Sequence, residues 1–156
     1  MAKLKKSVVA YCGLCCADCF ARDGAVADLA GELKKELKRV GFERFAESVF
    51  EVPYFKALKK YPDFHEVLET LGKARCSKLC REGGGGPTCE VRICCREKKI
   101  EGCWECGEFV ECDKLKFLEP VHGIGHIRNL RRIKRNGVDG FLKGKRDWYA
   151  KPPAKK

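Results

Sequence analysis

The 156-residue sequence has no long hydrophobic run near its N-terminus. Behind the basic residues 3–6, only Val8-Val9-Ala10 precedes the first cysteine. This stretch is too short for the hydrophobic part of a secretory signal or for a membrane span. We therefore expect a cytoplasmic protein in a reducing environment, without a membrane partner.

Features typical of catalytic sites are also scarce. The three histidines, His65, His122 and His126, lie in no recognisable nucleophile motif, and no paired carboxylates, triad or cofactor fingerprint is visible. The glycine run 83–86 is followed by proline rather than by Gly-Lys-Ser/Thr, which favours a flexible loop tip over a phosphate-binding loop. An enzyme is therefore not the expected class, although an open metal coordination position would revive it.

Cysteine, in contrast, is abundant, with twelve residues in three groups. In a reducing compartment such cysteines serve metal or redox chemistry more often than disulfide bridges. The ten cysteines that we expect to bind metal are Cys12, Cys16, Cys19, Cys76, Cys80, Cys89, Cys94, Cys103, Cys106 and Cys112.

The first group has the spacing C-x3-C-x2-C at Cys12, Cys16 and Cys19, with Cys15 as an extra thiol. This spacing also occurs in radical S-adenosylmethionine enzymes, but the chain is too short for the partial barrel that they need. We expect instead a closed site that a distant cysteine completes.

The later cysteines suggest one or two further sites. Cys103, Cys106 and Cys112 with an upstream Cys94 or Cys95 suit tetrahedral zinc and equally suit a [4Fe-4S] cluster, so spacing alone leaves both open, with zinc favoured. Cys76, Cys80, Cys89 and Cys94 suggest a third site. Weaker candidate ligands are Cys15, Cys95, His122 and His126, because a free cysteine is commonly a small buried residue and glycines surround the histidines.

Hydrophobic periodicity predicts helices between the cysteine groups. Val26, Leu29, Leu33, Leu37 and Val40 form an amphipathic stripe that we expect to be buried, and a second helical pattern over 42–50 ends before Pro53. Asp63 with Glu66 suggests a capping box for a further helix, with Phe64, Val67, Leu68 and Leu71 in its buried stripe. We expect residues 76–112 to be unable to build a core of their own, so that metal ligation supplies their folding free energy.

The C-terminal part is basic, with thirteen Lys or Arg residues against four acids from residue 113 onwards. Ile124, Ile127, Leu130 and Ile133 line one side of a predicted helix that ends at Asn136-Gly137. Such a surface could bind nucleic acid. The candidate residues are Arg128, Arg131, Arg132, Lys134, Arg135 and Trp148.

Taken together, the motifs resemble those of the domain-of-unknown-function 3795 family of archaea and bacteria. Residues 11–19 are similar to its C-G-L-x-C-x-x-C signature, 89–94 to C-x-I-R-x-C, and 103–109 to C-x-E-C-x-x-F. Residues 129–133, with Gly137 and Trp148, resemble its closing helical segment. The resemblance implies metal binding through the cysteines and brings no established activity.

The sequence thus predicts one compact, mainly α domain over 1–150 with a small irregular cysteine-rich metal-binding region. Its expected parts are an N-terminal cysteine loop (7–20), a helical part (22–75), a cysteine-rich part (76–112), a basic helical segment (113–150) and a disordered tail (151–156). The expected function is that of a small protein with two to three cysteine-ligated sites, structural zinc being favoured, that acts through an unidentified protein partner. The alternatives are an iron–sulfur electron carrier or redox sensor and a nucleic-acid-binding protein.

Overall fold

A computed structural model describes residues 5–86 and 88–149, so the tail predicted to be disordered lies outside the described residues. The fold is mainly α, as predicted, and within the described residues the only β pairing is an isolated bridge between Val9 and Cys15. None of the helices formed by these residues has the length and apolar content needed to cross a bilayer. Contacts divide the chain into two compact units: a helical unit of residues 20–76, and a cysteine-rich unit of residues 5–19 and 77–149.

The helical unit consists of four α-helices and one 3₁₀-helix. They are α1 (Phe20–Asp23), α2 (Ala25–Arg39), α3 (Phe42–Val49), the 3₁₀-helix Pro53–Lys60 and α4 (Tyr61–Gly72). α4 begins two residues before the predicted capping box, and Pro62 occupies its first turn, where a missing N–H costs nothing. The capping-box prediction is therefore wrong.

The packing of α2 and α4 also differs from the prediction. The buried residues of α2 are Ala27 and Ala30, whereas Leu29 in the predicted stripe is 65% exposed. The other exposed members of the two predicted stripes are Val26, Leu33, Val40, Phe64, Val67 and Leu71. The physical reason is that α2 turns its alanines inward and a unit of this size buries only one side of each helix.

The cysteine-rich unit is built around a long C-terminal helix. Its α-helices are α5 (Glu90–Glu97), α6 (Glu119–His122) and α7 (Gly125–Lys143), and α7 is kinked at Gly137, where the sequence predicts a stop. Short 3₁₀-helices connect them at Lys6–Val8, Cys16–Asp18, Cys80–Glu82, Cys103–Glu105 and Asp113–Leu118.

An apolar core holds this unit together. Leu130, Ile133 and Phe141 of α7 are buried with Val91, Trp104, Phe109, Leu115 and Leu118. Residues from the cysteine-rich segment therefore share a core with α7, which the sequence did not predict. Apolar burial therefore helps to stabilise the same stretch of chain that carries the cysteines.

Candidate functional site

A tight turn places the first cysteines. The Ala10 N–H donates to Leu14 O at 2.8 Å, and the Gly13 N–H donates to Ala10 O at 3.0 Å. Gly13 has φ +82°, and a Cβ there would lie 2.9 Å from the Leu130 side chain of α7. Only glycine meets both requirements, so this residue lets the turn carrying Cys12 lie against α7.

Four cysteines line one cavity of about 470 Å³: Cys12 and Cys16 from the N-terminal turn, Cys80 from a 3₁₀-helix and Cys89 at the start of α5. We call these residues the first thiol set. The sequence grouped Cys12 and Cys16 with Cys19, but the fold brings to them Cys80 and Cys89 from distant parts of the chain. Cys19, which is half-buried, does not line this cavity.

The thiols of the first set influence one another. The Cys80 N–H lies 3.5 Å from Cys16 Sγ, a donor that favours a negatively charged sulfur. Burial raises the pKa of the Cys12 thiol to about 12, and the sulfurs of Cys89 and Cys16 add to the increase. The pKa of Cys80 is also raised, mainly by a hydrogen bond with Cys16 and to a smaller extent by burial. Clustered thiols thus keep their protons unless a cation compensates the charge.

Arg92 holds the loop that carries Cys80. Its buried guanidinium donates to the carbonyls of Cys80 at 2.9 Å, Gly84 at 3.1 Å and Gly86 at 2.8 Å. Gly84 is itself buried, and a Cβ there would lie 2.0 Å from Lys78 O. The glycine run, predicted to be a flexible tip, is therefore fixed at Gly84, and Arg92 brings a positive charge to the wall of the thiol cavity.

Arg81 connects the segments around the two cysteine regions. Its Nε donates to Val9 O at 2.6 Å and its terminal NH2 group to Glu101 O at 2.7 Å. The same guanidinium lies 4.4 Å from the ring centre of Tyr11 and 5.5 Å from that of Trp104. The sequence analysis singled out neither Arg81 nor Arg92. The arginine inside the cysteine motif of residues 89–94 is the signal that could have pointed to Arg92.

Five further cysteines line a second cavity of about 310 Å³: Cys94, Cys95, Cys103, Cys106 and Cys112. We call these residues the second thiol set. The buried sulfurs of Cys95 and Cys103 are 3.6 Å apart. Their hydrogen bond raises the pKa of Cys103 and lowers that of Cys95. Lys98 Nζ lies 3.8 Å from Cys106 Sγ, and the nearby sulfurs of Cys106 and Cys94 raise the pKa of this lysine.

The thiols of each set share a cavity without closing on one point. Within residues 5–86 and 88–149, no group of three or more His, Cys, Asp or Glu side chains is positioned to hold a metal ion. The donor chemistry nevertheless fits a thiophilic metal, because both sets consist of thiols with cationic side chains beside them.

The remaining candidate ligands have other surroundings. Cys15 is fully buried in the apolar core, and Cys76 is half-buried at the end of the helical unit. His126 is buried, and desolvation lowers its pKa. His122 Nδ1 contacts the Trp148 carbonyl, and the two rings are 5.1 Å apart. Neither histidine lines either cavity.

The basic residues of α7 fall into two classes. Arg128 and Arg132 bind the carboxylate of Asp147 at 3.0 and 2.6 Å, so they are engaged within the chain. Arg131, Lys134 and Arg135 are exposed. Trp148, the sixth nucleic-acid candidate, lines the first thiol cavity.

Comparison with protein families gives one match. The model of the family described as "Protein of unknown function (DUF3795)" matches residues 8–117, more than half of the chain, and these residues include every cysteine. Comparisons with curated proteins and with solved structures found no match. The match agrees with the motif resemblance at Cys12–Cys19, Cys89–Cys94 and Cys103–Phe109, and the chain belongs to the DUF3795 family.

Proposed function

We propose that this chain is a metal-binding protein in which each thiol set holds one thiolate-bound metal centre. The observation that carries the proposal is the gathering of nine of the twelve cysteines into two cavities of one unit. Four thiolates are the usual complement of a structural zinc ion. A bound metal would supply the positive charge that keeps these thiols deprotonated, and this chain's part is to position the sulfurs and exclude water.

The spacing of Cys95 and Cys103 favours a single ion at the second set. Two sulfurs bound to one zinc at ~2.3 Å in a tetrahedron are about 3.8 Å apart, close to the 3.6 Å between these sulfurs. In a cubane cluster each cysteine binds a different iron, so the cysteine sulfurs lie farther apart. Zinc is therefore the metal that we propose for the second set.

Cations around both sets support the same proposal. A divalent ion with four thiolates carries two net negative charges, which are costly near apolar surroundings. Arg92 and Lys114 line the first cavity, and Lys98 lines the second. These side chains offset the charge of loaded centres, and the Cys80 N–H toward Cys16 Sγ acts in the same direction.

The test is anaerobic purification followed by elemental analysis and a visible spectrum. We expect a colourless protein with about two equivalents of zinc that loses helicity when a strong chelator removes the metal. A brown protein that absorbs in the visible range and contains iron would instead support an iron–sulfur electron carrier or redox sensor. Protein without stoichiometric metal would contradict the proposal.

A nucleic-acid role has narrower support. Arg131, Lys134 and Arg135 form an exposed basic patch on α7, whereas two of the other candidate arginines bind Asp147. RNA or DNA binding that weakens steeply with salt would support this role, and binding without a salt slope would exclude it. If the metal-loaded chain does not bind nucleic acid, we propose that its partner is another protein.

A further inference from the structure

We propose that Trp148 controls access to the first thiol set, and that Asn129 and Asp147 are positioning residues that hold it there. Trp148 lines the same cavity as Cys12, Cys16, Cys80 and Cys89. The inference concerns thiol access, and only its consequence for bound metal rests on the proposed function.

The first cavity is large enough to admit a small molecule. A volume of about 470 Å³ lies in the range of small-molecule pockets. A reagent that enters this cavity meets cysteines along its wall, so the bulky side chains of the same wall limit how freely it enters. Trp148 is the largest of the side chains that line the cavity, and Tyr11 and Phe117 are its other aromatic residues.

The backbone at Asp147 is locked by one buried amide. Asn129, which is fully buried in α7, donates from Nδ2 to Asp147 O at 2.7 Å. Its Oδ1 accepts from the Asp147 N–H at 2.9 Å. These two bonds fix the backbone N–H and carbonyl of Asp147, the residue before Trp148. Without them the buried side-chain amide of Asn129 would lose these partners, which is costly.

The Asp147 carboxylate adds two ionic bonds to the same helix. It accepts from Arg128 Nε at 3.0 Å and from Arg132 at 2.6 Å, and its side chain is 9% exposed. These ion pairs outweigh burial and lower the pKa of Asp147, so the carboxylate stays charged at neutral pH. A segment without regular secondary structure is thereby held against α7.

Both neighbours of Asp147 are fixed as well. Arg146 donates to the two carboxylate oxygens of Asp18 at 2.7 and 2.8 Å. Asp18 lies in the turn that carries Cys16, so this segment is bonded directly to the loop that it covers. His122 contacts the Trp148 carbonyl and packs edge-on against its ring. The strap, residues 146–148, is thus bonded at each of its three residues.

The strap contains no cysteine. Metal ligation therefore gives no reason for its bonds, whereas a role in shielding does. Loss of the indole opens the first thiol set and leaves the second set, which lines a different cavity, unchanged.

The experiment measures alkylation of the reduced, metal-free full chain by iodoacetamide, with each cysteine followed by peptide mass mapping. Trp148→Ala is expected to raise the rates at the first set by about tenfold, because access as well as ionisation controls thiol reactivity. Cys94, Cys106 and Cys112 of the second set are expected to keep their rates. Trp148→Phe should restore most of the protection.

Two further variants keep the result interpretable. Tyr149→Ala removes an exposed ring next to Trp148 that does not line the cavity, so its rates should match the parent protein. Asp147→Asn retains the indole but weakens the strap, and it should give an intermediate increase at the first set alone.

Unchanged rates in Trp148→Ala, or equal increases in both thiol sets, would overturn the inference. Equal increases would mean that Trp148 supports the fold as a whole. Since the assay uses metal-free protein, its outcome is independent of whether the proposed metal binding is correct. If metal binding is also correct, Trp148→Ala should release one of two metal equivalents faster to a chelator.

Discussion

The two thiol sets differ in how their cysteines reach one cavity. The first set joins three separate segments, at Cys12/Cys16, Cys80 and Cys89, whereas the second comes from residues 94–112 alone. Metal ligation at the first set would close a long loop between Cys16 and Cys80. Ligation at the second set would close only short loops within residues 94–112. Since loop-closure entropy grows with length, the first centre should contribute more to tertiary stability and the second should form locally.

The largest expected effect follows from removing one ligand of the first set. Cys16→Ala should lose one metal equivalent and lower the free energy of unfolding by about 4 kcal/mol, the stabilisation given by a ligand at 1,000 times its Kd. Metal content and denaturant unfolding measure the two effects.

Cys15→Ala is the matched control, because Cys15 is the buried neighbour of Cys16 and lies in the apolar core. It should keep both metals and cost only about 1 kcal/mol for a small cavity. Equal metal loss in Cys16→Ala and Cys15→Ala would contradict the assignment of Cys16 alone as a ligand. A larger loss of stability in Cys106→Ala than in Cys16→Ala would reverse the comparison between the two thiol sets.

The next effect concerns the loop that carries Cys80. Arg92→Met should cost about 3 kcal/mol, because it leaves buried carbonyls of this loop without their donor. Arg96→Met on the same helix removes a side chain that is exposed and donates to Arg81 O, and should cost less than about 1 kcal/mol. Thermal unfolding of both variants measures these losses of stability. Equal losses in Arg92→Met and Arg96→Met would contradict the role of Arg92.

Some of this organisation is predictable from the sequence, and some is not. The second set follows from spacing, because Cys103, Cys106 and Cys112 are close along the chain. Tertiary folding, not sequence spacing, brings Cys80 and Cys89 to the first set. Their placement depends on the turn at Gly13 and on Arg92. The predictions of the buried helical stripes were wrong for a different reason. Residues such as Leu29 follow the helical period, but the buried residues of α2 are Ala27 and Ala30.

A smaller effect tests the turn that presents Cys12. Gly13→Ala should cost about 2 kcal/mol, because its φ is positive and the new methyl would meet Leu130. Gly31→Ala, inside α2 of the helical unit, places a Cβ with no atom within 4 Å apart from its own stretch of helix, and should instead stabilise by about 0.5 kcal/mol. Chemical denaturation of both variants measures the difference, and destabilisation of the same size by each would contradict it.

The smallest effect is chemical and concerns the second set. At equilibrium, oxidised glutathione added to the metal-free protein should link Cys95 to Cys103 in preference to other thiol pairs, the two thiols giving up their hydrogens to form two reduced glutathione molecules. Peptide mapping identifies the bridge, and bound metal should protect both sulfurs. A bridge that forms preferentially within the first thiol set would contradict the local character of the second set.

Zinc-edge X-ray absorption on the protein as purified tests the central claim most directly. It should give four sulfur ligands at ~2.3 Å for the average zinc, because both centres are built from thiolates. A first shell dominated by nitrogen or oxygen, or zinc present only in trace amounts without iron in its place, would contradict thiolate-bound metal in these two cavities.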